Sequence, residues 1–166
     1  MAKAVPQPGE WEQKKKRIIT LVLLAILLMS ASMFLMERKE ASIIIVTFPN
    51  GHELETEVAD TPEKLLFGLA FRETLPPNGG MLYIFESTGM NHLWTKEYLF
   101  PVDIIWVDES HHIVQLTENA VPCRKDPCQK YSSAPESIRY AIQTAAGYIK
   151  REGITTGVEL KYTLRM

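Results

Sequence analysis

The chain has 166 residues, 46% hydrophobic and 23% charged, a balance that fits one domain of ordinary size and excludes wholesale disorder and a Gly-X-Y fibre. Its formal net charge of −2 is unevenly spread: residues 1–36 hold 5 Lys/Arg and 2 Asp/Glu, and residues 37–166 hold 13 and 18. The acidic body lacks the clustered cations that displace counterions from a phosphate backbone, which sets nucleic acid aside as a partner.

The first element in chain order is apolar. Ile18–Met36 runs for 19 residues without a charge, long enough to cross a bilayer core as a helix. Lys14, Lys15, Lys16 and Arg17 precede it and the mixed Glu37-Arg38-Lys39-Glu40 follows, so the Lys/Arg bias keeps the N-terminus cytoplasmic and puts the body outside. This predicts a cytoplasmic tail over 1–17, a single-pass signal anchor in the lipid bilayer over 18–36, a linker over 37–41 and an extracytoplasmic domain over 42–166. A cleaved secretory signal is the alternative, although its apolar core is normally only about 7–15 residues. Here the small-residue stretch Ser30-Ala31-Ser32 also lies inside the run rather than beyond it. A buried soluble helix is the third reading.

From Ala41 onward short apolar segments alternate with turn signals, the pattern of a mostly β domain. Ala41–Phe48, the turn Pro49-Asn50-Gly51 and Glu53–Val58 read as a hairpin. Thr61 caps a two-turn helix with Pro62 at its first position, Gly68 ends it, and Leu65, Leu66 and Leu69 are its expected buried side. Leu75–Gly80 reads as a loop, and Met81–Phe85, Leu93–Lys96, Val102–Val107 and Ile113–Thr117 as strands, Val102–Val107 buried on both faces. Residues 118–137 form a long irregular connection, followed by strand Tyr140–Thr144, a short helix Gly147–Glu152 and strand Val158–Leu164. The expected fold is a β-rich α+β domain, a small barrel or sandwich with two short helices, preceded by the transmembrane helix.

Cys123 and Cys128 are the only cysteines. In an oxidising compartment a lone pair this close reads as a small-loop disulfide that pins the long connection. Metal is the alternative, but only His52, His92, His111 and His112 could complete a zinc set, and no second Cys pair or His-x3-His exists. No cofactor is implied.

Thr61-Pro-Glu-Lys-x3-Gly-Leu-Ala-Phe-Arg72, Gly80-Met-Leu82, Trp94-Thr-Lys96, Pro101-Val-Asp-Ile104 and Tyr131-Ser-Ser133, taken in order, resemble the DUF192 family over about residues 42–165. The resemblance implies a small β-rich domain, often behind a signal or anchor, without a settled biochemical activity. The chain departs from the family's pattern at polar positions. The usual Trp-Met-Lys-Asn-Thr is Trp94-Thr95-Lys96-Glu97-Tyr98, the Met after Gly-Leu is Ala70, and Val-Leu-Glu is Ala141-Ile142-Gln143.

The polar set matching the family is Arg72, Lys96 and Asp103, with Glu97 and Gln143 at altered positions. One reading is a pocket in which Arg72 and Lys96 hold a carboxylate or phosphate; the plainer one is that Asp103 pairs with either cation to fix a loop. Ser87, His92 and Asp103, or Ser132, Ser133 and His112, supply the letters of a nucleophilic site without a recognisable elbow. Met81, Met90 and His92 offer a soft-metal reading, but Met at such positions reads first as core filling. The functional expectation is a binding or accessory module for a small anionic ligand or an envelope partner, with an envelope hydrolase or a structural subunit as alternatives.

Overall fold

The computed structural model describes residues 8–35, 42–133 and 137–165. The chain divides into two compact units, Met1–Glu40 and Ala41–Met166. The described residues of the first form one helix, α1 (Pro8–Leu35). Among the described residues no helix is long and apolar enough to cross a membrane. Met36, the last residue of the expected span, and the linker over 37–41 lie outside the described residues.

The second unit contains β1 (Ile43–Thr47), β2 (Glu53–Ala59), α2 (Pro62–Phe67), β3 (Gly79–Gly89), β4 (His92–Trp94), β5 (Val102–Asp108), β6 (Ile113–Ala120), β7 (Lys130–Ser132), β8 (Ile138–Ala145), α3 (Tyr148–Glu152) and β9 (Lys161–Arg165). Seven strands form one sheet in the order β6-β5-β8-β3-β2-β1-β9, and β4 pairs with β7 as a separate ribbon. The ladders are antiparallel except for β2 with β3, which run parallel in the register Glu57↔Met81. A parallel pair requires a crossover, and residues 60–78 supply it, with α2 at the start.

The expected hairpin is present as β1 and β2, and β5 is buried along its length except at Asp108. The expected barrel is not: the sheet ends at β6 and β9, between which one isolated bridge, His112↔Glu159, is formed. The physical reason lies in β5. Val102, Ile104 and Trp106 enter one apolar core and Ile105 and Val107 a second on the opposite face. Two faces each needing cover call for layers, whereas a small closed barrel has a single interior.

α2 corrects a second expectation. It buries none of its own residues: Leu65 is half-buried, and Leu66 faces solvent. Six residues are too few to present a full apolar stripe, so the chain reaches the core only with Leu69, just past the helix. The long connection is shorter than expected at both ends, because β6 extends to Ala120 and β7 pairs with β4 through His92↔Ser132. The Cys123–Cys128 disulfide closes within it, with Cα atoms 5.7 Å apart.

Candidate functional site

The residues expected to form one cationic pocket fall into two neighbouring clusters and one structural brace. Arg72 follows the helix and donates through both terminal nitrogens to the two carboxylate oxygens of Glu57 on β2, the Nη2 contact at 2.6 Å. This bidentate bond holds the Glu57 carboxyl below its usual range and raises the guanidinium's already high value.

Behind it lies a buried polar triangle. Gln143 Oε1 on β8 accepts the hydroxyls of Tyr83 (2.6 Å) and Tyr98 (2.7 Å), which are 3.1 Å from each other. Leu69 N–H donates to Tyr98 Oη at 3.2 Å, so the chain leaving α2 closes over the tyrosines. Burial pushes both hydroxyls above the ordinary tyrosine value, Tyr83 furthest. Gln143 Nε2 has no partner among the described residues. Sequence reasoning named Gln143 but missed both tyrosines as its partners: Tyr83 lies within an expected strand, and Tyr98 stands out only as a departure from the family's pattern.

Asp103 is fully buried on β5, yet it joins neither cation. Oδ1 accepts Asn119 N–H at 2.9 Å, where β6 bulges with φ 52, and Oδ2 accepts Ile149 N–H at 3.0 Å. The second bond caps α3, whose N-cap Gly147 has no side chain to do so. With both oxygens committed to backbone donors, Asp103 is not an orienting acid for His92. Ser133 Oγ is likewise engaged with the backbone of Asn91. Among the described residues no three His, Cys, Asp or Glu side chains gather as a metal site.

Lys96 and Glu97 follow β4. Lys96 Nζ meets Asp126 Oδ2 at 2.7 Å, which raises its affinity for the proton, and lies 5.8 Å from the Trp94 ring centroid. Glu97 and Phe71 both adopt positive φ, 59 and 64, and are joined by Phe71 N–H donating to Glu97 O at 3.0 Å. Such conformations are uncommon for non-glycine residues and worst for bulky ones.

Between these segments opens a hollow of about 240 Å³ lined by Leu66, Phe67, Ala70, Phe71 and Trp94 together with Lys96 and Glu97. Phe71 is 65% exposed, Phe67 53% and Leu66 51%, and the two phenylalanine rings stand 6.4 Å apart. Trp94 Nε1 donates to Leu66 O at 3.0 Å, which fixes the indole against the helix. A second hollow of about 400 Å³, reaching Pro62, His92 and Lys130, shares Leu66 and Trp94. The hollow under Glu53, Glu55 and Glu57 is larger, about 530 Å³, but Arg165 and Arg72 already engage two of those carboxylates.

Residues 45–162 match the DUF192 family model, described as an uncharacterised ACR, and the chain belongs to that family. A solved structure from Sinorhizobium meliloti 1021, titled a putative transcription regulator, is 28% identical and similar at a TM-score of 0.65 over 73% of this chain and 92% of that one. A protein of unknown function from Novosphingobium aromaticivorans DSM 12444 is 26% identical, with a TM-score of 0.64 over 72% of this chain and 83% of that one. No curated protein matches.

Proposed function

We propose that the chain is a membrane-anchored, extracytoplasmic binding module for a small amphiphilic anion, whose apolar body enters the hollow between Phe67, Phe71 and Trp94 and whose acid group meets Lys96. The observation that carries the reading is the pair of exposed phenylalanines lining a concave, largely apolar hollow that also has a lysine in its lining. Concave apolar sites with few polar groups are where small ligands bind. Arg72 leaves the anion-binding set because Glu57 neutralises it, and Asp103, Gln143 and the backbone of Glu97 serve as frame. The Lys96–Asp126 pair is solvent-exposed and therefore weak, so an incoming anion can displace it. The anchor rests on the Lys14–Arg17 cluster ahead of Ile18–Met36, and the disulfide suits an oxidising compartment.

The β domain builds both cores from its own residues, and the matched Sinorhizobium chain is almost entirely this domain, so residues 42–166 are a sound test object. With 1-anilinonaphthalene-8-sulfonate, an aromatic sulfonate, as probe, saturable one-to-one binding is expected, weakened about tenfold by Phe71→Ser and about threefold by Lys96→Ala. Absence of saturable binding would refute the site. For the anchor, the full chain should stay in membranes through alkaline carbonate washing; release by the wash would refute it.

A further inference from the structure

A run of backbone hydrogen bonds leads from the disulfide to the hollow. Cys123 N–H donates to Thr95 O at 2.9 Å, and Cys123 O accepts Glu97 N–H at 3.0 Å, so Cys123 lies against Lys96 as an isolated parallel bridge. Asp126, inside the disulfide-closed loop, takes Lys96 Nζ at 2.7 Å. Glu97 O then accepts the N–H of Phe71, the most exposed wall of the hollow. Left-handed non-glycine residues persist only where their surroundings over-determine them. Cys123 holds Glu97, and Glu97 holds Phe71.

We infer that the Cys123–Cys128 disulfide is a redox control on the hollow: oxidised, it holds the 95–97 segment that positions Phe71, and reduced, it releases that segment and the wall relaxes. The inference takes its meaning from the binding reading above, but part of its test does not depend on it. A thiolate of an external dithiol attacks one sulfur, the Cys123–Cys128 bond breaks and a mixed disulfide forms. The dithiol's second sulfur then displaces the protein thiol. Two electrons and two protons pass to the protein, leaving two cysteine thiols, and the dithiol becomes a disulfide. Both cysteines are half-exposed and Arg124–Pro127 are exposed, so the bond is within reach and the loop carries nothing the core needs.

The test compares residues 42–166 oxidised, reduced with dithiothreitol, and as Cys123→Ser/Cys128→Ser. Amide hydrogen exchange at Phe71 and Glu97 should quicken at least tenfold in the reduced and double-serine forms, with Ile105 and Ile142 unchanged, and the affinity for anilinonaphthalene sulfonate should fall about tenfold. The double-serine form should not respond to dithiothreitol. Unchanged exchange at Phe71 and Glu97 overturns the inference whatever the dye does, as does dye affinity that is equal in all forms. Failure of the oxidised form to bind dye refutes the binding reading instead, while exchange still decides whether the disulfide controls the wall.

Discussion

A Cβ added at Gly68 would stand 2.0 Å from Tyr83 Oη and 2.6 Å from Tyr98 Oη, and the residue's φ of 52 disfavours any side chain. Gly68→Ala should therefore cost about 3 kcal/mol or more in urea denaturation. Gly51→Ala, at φ 84 with open space around it, should cost about 1 kcal/mol; equal costs would show that the tyrosine contact is unimportant. Tyr98→Phe should cost about 1–2 kcal/mol in the same measurement, because the Tyr98 hydroxyl accepts the Leu69 N–H at 3.2 Å and its loss would strand that donor. The pH profile has two signs. Tyr83 and Tyr98 ionise above the ordinary 10.0 when folded, so the unfolded chain ionises first: their stabilisation is complete below pH 10 and is lost as the pH rises past it. Glu57 is lowered from 4.5, so its stabilisation is present above that value and is lost as the pH falls through the folded one. The urea midpoint measured against pH should drop at both ends. Tyr83→Phe should blunt the alkaline drop and Glu57→Gln the acid one.

Among the elements, α3 is the one held from elsewhere. Asp103→Ala would leave the N–H groups of Asn119 and Ile149 without their acceptor and should cost about 3 kcal/mol or more; Asp103→Asn, which keeps one acceptor, should cost less. Faster amide exchange across Tyr148–Glu152 in the alanine variant would locate the loss, and unchanged exchange there would refute the capping role. The strands with strong apolar runs were legible in the sequence. Val102–Asp108 announces a doubly buried strand because every residue but two is apolar. What could not be read was pairing. β4 and β7 have three residues each, too few for a periodic signal, and the parallel register of β2 with β3 is decided by the crossover rather than by either strand. The burial of Leu66 was misjudged because helical spacing says which residues share a face, not whether a six-residue helix lies close enough to bury them.

Across the whole molecule, the linked motifs identified the family, but the site was legible only in part. Arg72 and Lys96 are visible as cations; their partners Glu57 and Asp126, 15 and 30 residues away, appear only when β2 and the disulfide loop are folded beside them. The Cys123–Cys128 pairing was readable because the chain has only these two cysteines and they lie close in sequence. A small closed loop restrains the unfolded chain modestly, so the Cys123→Ser/Cys128→Ser domain should lose about 2 kcal/mol or less; a collapse in melting temperature would mean that the loop holds up the core. The register Ile43↔Arg165 has a consequence for synthesis, since the first strand of the domain to be made is partnered on one side by the last. Until β9 emerges, Ile43-Ile44-Ile45-Val46 lacks the cover of Lys161–Arg165 and presents an apolar strand edge. Loss of those last few residues would leave every residue of the hollow in place, but would expose to other nascent chains the strand they cover.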